Sequence, residues 1–175
     1  MKKLLILFTV FITTQFSYAQ KKQAVNVFLH GQASYMPYGL FKEYTGAGFG
    51  AGLQAVLNSK HKLKPQLDAT VHFFSTNKIL FVFENGQTTG PQGMFTTIFP
   101  GFVYTPGNRL ELALSAGPSF DDDGTDFGVK PYVAYYLGKK KSLNLNTSLT
   151  HLFSPNQFSK KNTGIISAGI AVKLF

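Results

Sequence analysis

Hydrophobic and polar residues alternate along most of the chain. Between Thr45 and Leu57 the sequence reads TGAGFGAGLQAVL, with apolar residues at the odd positions and glycine at positions 46, 48, 50 and 52. A period of two places successive side chains on opposite faces of a β-strand, whereas a helix repeats every 3.6 residues. Four glycines inside a helix would cost about 1 kcal/mol each relative to alanine. The stretch therefore predicts a strand with one apolar face and one face that has almost no side-chain volume.

The same alternation predicts seven further strands. They lie within residues 23–35, 63–73, 94–104, 110–117, 127–137, 143–150 and 166–174. Short polar turns separate some of these segments, at 58–62, 105–109 and 138–142. The connections between the others are mostly longer, at 36–43, 75–93, 121–126 and 154–162. Regular exchange of short and longer connections around segments of about ten residues is typical of a transmembrane β-barrel.

Two parts of this pattern are open. The segment 94–104 is apolar on both faces, so its register is not fixed by the sequence. The run Ile79–Phe83, with the hairpin signal Asn85–Gly86, is interpreted as an extension of the third strand above the main body. Proline cannot donate a ladder hydrogen bond, so prolines inside predicted strands indicate bulges or strand ends. They are Pro65, Pro100, Pro118 and Pro131.

The predicted fold class is therefore all-β, an eight-stranded antiparallel up-and-down transmembrane barrel. An even number of strands puts both termini on the short-turn side, which is periplasmic in outer-membrane barrels. An eight-stranded barrel is narrow enough for side chains to fill its interior. A soluble barrel would have the opposite polarity, with apolar residues inside, and alternation alone does not separate these two folds.

Strand charges show which face is turned inward. Charged residues within the strands lie on the face opposite to the apolar one. This is expected if the apolar face contacts lipid, where a charge costs about 2–4 kcal/mol at mid-bilayer. We expect a polar cluster inside the barrel that forms a hydrogen-bonded plug or lines a narrow channel. Its members are His30, Lys64, Asp68, His72, Glu111, Lys130, Tyr132 and Tyr136.

Residues 1–19 are predicted to be a secretory signal peptide, recognised by the Sec machinery. Lys2 and Lys3 precede the apolar run Leu4–Ile12, and the small-x-small triplet Ser17–Ala19 marks the cleavage site. Residues 20–175 then form one barrel domain, in which no apolar run is long enough for a spanning helix. The net charge of +9 favours anionic lipid as a partner over nucleic acid, because the chain is exported. The absence of cysteine excludes disulfides and thiolate metal sites.

The chain ends GIISAGIAVKLF, a strand that finishes in the aromatic residue Phe175. With the signal peptide and eight alternating segments, residues 20–175 resemble the small outer-membrane β-barrel proteins of the OmpA/OmpX/OmpW type. The resemblance implies a monomer in the outer membrane, in contact with lipid and lipopolysaccharide, that is assembled through its last strand. It implies a structural or surface-interaction role without catalysis. One departure is that Lys173 stands where that strand normally has a hydrophobic residue, and Phe175 has the opposite parity to Leu174.

The segment THLFSPN, residues 150–156, is similar to the His-x-Ser-Asn run of the PagL-type lipid A deacylases. That resemblance implies an alternative function, hydrolysis of a lipid A acyl ester by His151 and Ser154, with Glu111 as the acidic partner. His151 and Ser154 are three residues apart and would need a bulge to share one face. A second alternative is a narrow channel for small solutes or hydrophobic ligands.

No metal site or cofactor is expected. The acidic segment Asp121–Asp126 places Lys130 at the twelfth position of an EF-hand alignment, where a bidentate glutamate is needed. The glycine strand also lacks the G-x-G-x-x-G spacing of a dinucleotide site. Five lysines in two of the short turns could face anionic headgroups: Lys60, Lys62, Lys139, Lys140 and Lys141.

Overall fold

The computed structural model describes residues 25–39, 45–76, 81–82, 88–89, 93–121, 124–138, 140–153 and 162–174. Its strands are β1 Val25–Tyr38, β2 Thr45–Leu57, β3 Leu63–Thr76, β4 Phe81–Val82, β5 Thr88–Thr89, β6 Gly93–Tyr104, β7 Leu110–Asp121, β8 Gly124–Leu137, β9 Leu143–Phe153 and β10 Thr163–Lys173. A membrane-crossing helix is not found in this part of the chain. The predicted signal peptide, residues 1–19, lies outside it and stays a prediction.

Eight of these strands form a closed barrel. Neighbours along the chain pair antiparallel, β3 pairs with β6, and β10 closes the sheet against β1. This confirms the predicted eight-stranded antiparallel barrel. The connections 58–62, 105–109 and 138–142 lie at one end together with the start of β1 and the end of β10, and we call it the turn-side end. The opposite end is the loop-side end.

The barrel has apolar side chains outside and polar side chains inside. Phe49 is 56% exposed and Leu114 is 58% exposed on the outer wall, while Asp68 and Lys130 are almost fully buried in the lumen. A soluble barrel needs the reverse arrangement, because the hydrophobic effect drives apolar area away from water. A wall of this polarity is stable only when hydrocarbon surrounds it.

The glycine face of β2 is turned to the lumen, where it makes room for bulky interior groups. A Cβ on Gly50 would lie 3.0 Å from Nδ1 of His72, and one on Gly52 would lie 2.8 Å from Nε2 of His30. The contact at Gly52 is closer than real Cβ atoms show, and a Cβ on Gly50 would force the neighbouring side chains to move. Glycine at these positions therefore lets the two imidazole rings lie directly against the backbone of β2.

The pairing register of β2 and β3 differs from the one obtained by counting residues symmetrically across the turn 58–62. Counting back from the 58–62 turn predicts Asp68 opposite Gly52, and this is wrong. Gln54 lies opposite Asp68, and Gly52 lies opposite Thr70. A shift of two residues changes the partner of each residue but leaves every side chain on the same face, whereas a shift of one would invert the faces.

Three of the four prolines inside the strands lie where pairing stops without a bulge, contrary to expectation, whereas Pro65 pairs with Phe102 near the start of β3. Between β6 and β7 the pairing stops after Thr97 opposite Ser119 and resumes in the same register with Gly101 opposite Ser115. Pro100 and Pro118 lie in this gap. Pro131 lies in a similar gap between β8 and β9, where Val129 pairs with His151 and the pairing resumes at Tyr132. The chain thus omits ladder bonds at these three prolines and keeps its alternation.

Two connections on the loop side differ from prediction. The predicted loop 121–126 is wrong, because Asp121 ends β7, pairs with Gly124, and leaves two residues between the strands. In the long connection, β4 and β5 pair with each other in a separate two-stranded sheet. Their pairing agrees with the hairpin signal Asn85–Gly86. Phe81 and Val82 do not continue β3 in the barrel sheet, so the interpretation of this run as an extension of that strand is wrong for them; Ile79, Leu80 and Phe83 lie outside the described residues.

Candidate functional site

A buried ion pair occupies the middle of the lumen. Nζ of Lys130 on β8 donates to Oδ1 of Asp68 on β3 at 2.8 Å, and both side chains are nearly inaccessible to solvent. Thr70 Oγ1 donates to the same oxygen at 2.8 Å. Nε2 of His30 lies 3.7 Å from Oδ2 of Asp68. Since β3 and β8 are not neighbours, this pair joins two separate parts of the wall across the lumen.

Further polar side chains extend this central layer toward the loop side. Ser34 Oγ lies 3.3 Å from Nδ1 of His72 and 2.9 Å from Oγ of Ser167. The ring of His72 stacks on that of Phe74 at 6.2 Å between centroids. The hydrogen bonds connect β1, β3 and β10, so the layer bridges several strands of the wall. Buried hydrogen bonds that join strands in this way rigidify an interior.

The loop-side part of the lumen is mainly apolar, with a few small hydroxyl side chains such as those of Ser119 and Thr150. One cluster of buried side chains fills it, formed by Met36, Phe74, Phe95, Phe99, Leu152 and Ile165. Phe74 and Phe95 meet edge to face with centroids 6.0 Å apart. Phe99, Leu152 and Ile165 are completely inaccessible to solvent. Water that passed along this part of the lumen would have to wet these side chains, so the described residues close it.

The turn-side part of the lumen combines a second cluster with charged groups. The hydroxyl of Tyr136 donates to Oε2 of Glu111 at 2.6 Å. The ring of Tyr136 lies 6.0 Å from that of Phe28, and Tyr132 belongs to the same buried cluster. Gln54 Nε2 donates to Oε1 of Gln66 at 2.6 Å. Between these groups and the turns is a cavity of about 290 Å³.

The structure places the predicted interior residues in two groups. His30, Asp68, His72 and Lys130 lie in or beside the central layer. Lys64, Glu111 and Tyr136 line the turn-side cavity, and Tyr132 lies in the cluster next to it. The sequence did not single out Thr70, Ser34 or Phe99, although the parity of their strands would have placed the first two inward.

His151 lies at the loop-side end of β9, on the outer wall. Its Nδ1 is 2.7 Å from the hydroxyl of Tyr38, and its ring meets Phe153 edge to face at 4.5 Å. Glu111 is inside the barrel, level with Asn146 across β8, which puts it about 16 Å from His151 along the strands. The structure therefore does not bring Glu111 to His151. Ser154 lies outside the described residues.

Within the described residues, no group of three or more histidine, aspartate or glutamate side chains is arranged to hold a metal ion. The alternation of inward and outward side chains along β10 explains why a lysine stands at position 173. Leu174 and Val172 face outward and Lys173 faces the turn-side cavity, so its position is on the lumen side of the wall. Phe175 lies outside the described residues, and its contact with the assembly machinery stays a prediction.

Comparison with known proteins places this architecture among the small eight-stranded barrels of outer membranes. Ail, the attachment invasion locus protein of Yersinia pestis, is 7% identical with a TM-score of 0.60 over 86% of this chain and 97% of that one. The N-terminal barrel domain of Pseudomonas aeruginosa OprF is 12% identical with a TM-score of 0.55, over 85% and 97%. Neisserial surface protein A is 17% identical with a TM-score of 0.51, over 86% and 97%.

No protein-family model and no curated protein sequence matches the chain. At the identities of the solved structures, the similarity shows the fold. That fold is the small outer-membrane β-barrel, as the resemblance of the sequence indicated.

Proposed function

We propose that this protein is an integral outer-membrane barrel with a closed lumen, both termini in the periplasm, and a structural or surface-interaction role without catalysis. The observation that carries the proposal is the inverted polarity of the wall. Large apolar side chains are exposed all around the outside, while aspartate, lysine and histidine are buried inside. The likeness to Ail, OprF and NspA supports the outer membrane as the location of this wall.

The closed lumen is supported by two successive layers. The ion pair of Asp68 and Lys130 crosses the middle of the barrel, and the apolar cluster around Phe99 lies on its loop side. A channel needs a continuous polar path, and side chains that line such a path would be accessible to water. A barrel closed at two levels acts as a rigid anchor, and its loop-side connections then supply the surface for interaction.

Fractionation and gel mobility test the membrane assignment. We expect the protein to sediment with outer membranes and to migrate differently on gels before and after boiling, because closed barrels resist detergent until heated. Recovery in the soluble periplasmic fraction would contradict the proposal.

Epitope tags test the orientation. A tag inserted between Val82 and Thr88, in the connection of the small hairpin, should be accessible to antibody on intact cells, and a tag after Phe175 should not. Accessibility of the second tag alone would place the termini outside.

Planar bilayers and lipid A chemistry test the absence of transport and catalysis. The purified protein should give no discrete conductance steps. Its overproduction should leave the mass spectrum of lipid A unchanged, in the wild type and in His151→Ala alike. Loss of a single acyl chain that depends on His151 would establish the hydrolase instead, and steady unitary currents would establish a channel.

A further inference from the structure

The turn-side mouth of the lumen is a lysine-rimmed cavity. Four lysines and one carboxylate line it: Lys64, Lys140, Lys141, Lys173 and Glu111. Its volume of about 290 Å³ is near the lower limit of small-molecule sites, which hold about 300–1,000 Å³. The remaining wall includes Asn26, Asn58 and Thr105, which add donors and acceptors. The cavity is thus small, polar and strongly positive.

The lysines come from three different parts of the chain. Lys64 is on β3, Lys173 ends β10, and Lys140 and Lys141 belong to the turn between β8 and β9. Lys141 has a φ of 51°, in the left-handed region that non-glycine residues seldom adopt. Its Nζ lies 5.9 Å from the centroid of the Tyr136 ring, a cation–π distance. The fold thus brings cations from distant segments to one mouth, although like charges repel.

Glu111 at the inner wall of this cavity has an acceptor to spare. Its Oε2 receives the hydroxyl of Tyr136, the side chain of Gln54 also stabilises its charge, and its buried Oε1 accepts no hydrogen bond of ordinary geometry among the described residues. A buried acceptor without a partner costs free energy, and a donor that entered the cavity would relieve this. The lysines favour an anionic group, and the carboxylate favours a hydrogen-bond donor. The cavity is therefore complementary to a ligand that has both groups.

We propose that the turn-side cavity binds a phosphate ester that also bears an ammonium group. The phosphate lies among Lys64, Lys141 and Lys173, and the ammonium donates to Oε1 of Glu111. Both contacts are charge-assisted hydrogen bonds, which are about twice as strong as neutral ones. Phosphoethanolamine has this chemistry, as a monoester when it is a free solute and as a diester when it is a lipid headgroup. The site is independent of the proposed role of the whole protein, because it needs only the folded barrel.

Calorimetric titration of the full-length barrel in a non-ionic detergent tests the site. O-phosphoethanolamine should bind saturably at low salt. The double variant Lys64→Gln and Lys173→Gln should weaken binding about tenfold or more, since it removes two charge-assisted contacts. Lys60→Gln with Lys62→Gln is the matched control, because these substitutions remove the same charge. Both residues are exposed in a turn at the same end of the barrel and do not line the cavity.

Ethyl phosphate tests the role of Glu111, since it has the phosphate and lacks the ammonium. It should bind more weakly than O-phosphoethanolamine to the wild type, and Glu111→Gln should abolish this difference. The heat-dependent gel shift of each variant confirms that it folds. Equal weakening by the two lysine pairs would show general attraction to positive charge and overturn the proposal, as would the absence of saturable binding to every probe, including the lipid headgroup tested next.

Nanodiscs separate the two sources of the ligand. If the ligand is the lipid headgroup, Lys173 and Glu111 should show chemical-shift changes in phosphatidylethanolamine discs that are absent in phosphatidylcholine discs. If the ligand is a solute, both discs should give the same spectrum, and addition of O-phosphoethanolamine should shift these residues in each. No change in any of these samples would overturn the proposal.

Discussion

The two ends of the lumen differ in chemistry although the same strands enclose both. At the turn side, lysine, glutamate and tyrosine surround an open cavity. At the loop side, six apolar residues are packed against one another and exclude water. The layer of Asp68 and Lys130 lies between these two parts. The comparison shows that the inward face of an eight-stranded barrel does not have to be uniformly polar. Its charges are concentrated in the middle and at one mouth, and the other end is closed like a hydrophobic core.

The largest effect is expected where the backbone of β2 supports the central layer. Gly52→Val should prevent folding, because a side chain there would collide with His30 and with the backbone of β3. The folded fraction after refolding, read from gel mobility before boiling, measures this. Ala51→Val, one residue earlier on the lipid side, should fold normally. Normal folding of Gly52→Val would mean that the lumen has more room than the structure shows.

Breaking the central ion pair should destabilise the barrel strongly. Lys130→Met should lower the free energy of unfolding by about 3–5 kcal/mol, since it leaves the carboxylate of Asp68 buried without its cation. Urea titration of the refolded barrel measures the loss. The double variant Asp68→Leu with Lys130→Met should recover most of it, because neither buried charge then remains. Equal stability of the single and double variants would argue that the two charges are not coupled.

Truncation in the loop-side cluster should cost less and leave the turn side unchanged. Phe99→Ala should lower the free energy of unfolding by about 3 kcal/mol, through lost apolar contacts and the cavity left behind. The binding of O-phosphoethanolamine at the other end should stay the same. Phe102→Ala on the same strand removes a ring that is 55% exposed to lipid and should cost clearly less. A larger loss for Phe102 would mean that the outer ring contributes more than the apolar plug.

The smallest effect is expected at the turn-side mouth. Tyr136→Phe removes the hydroxyl that donates to Glu111 and should cost about 1–2 kcal/mol, since hydrogen bonds to charged groups contribute slightly more than neutral ones. Tyr135→Phe is the matched control. That hydroxyl receives an exposed hydrogen bond from Arg109, and its loss should change stability by less than about 0.5 kcal/mol. Indistinguishable urea midpoints for the two variants would show that solvent replaces the bond to Glu111.

Much of the fold follows from a period of two. The alternation around Asp68 and Lys130 predicts that both face inward, since lipid excludes charge from the other face. It cannot predict that they meet, because their strands are not adjacent and the partner depends on the diameter and shear of the closed barrel. The register of β2 against β3 does not follow from the sequence, for a local reason. The five residues of the turn admit several pairings of equal parity, and the sequence of the turn does not select among them.

The apolar plug could not be predicted because its main strand is apolar on both faces. In β6, Phe99 faces inward and Ile98 faces lipid, yet the two residues are equally hydrophobic. Because odd and even positions of β6 are equally hydrophobic, the sequence does not show which face is inside. Only the pairing of β6 with β3 assigns the faces. The cavity was missed because its lysines belong to a turn and two strand ends. Lys173 departs from the apolar pattern of the last strand for the same reason, since it lines a cavity that residues from other parts of the chain complete.

The proline interruptions have a consequence for motion. They lie on the two flanks of the hairpin formed by β7 and β8, so this hairpin is held to its neighbours by incomplete ladders, while β7 and β8 pair with each other along their full length. Thermal fluctuations should therefore open the wall first along these two seams. Deuterium should enter at backbone amides beside the gaps, such as that of Ala116, well before it enters at the pairing of β1 and β2. The barrel therefore has two seams of low local stability, and the positions of its prolines determine where they lie.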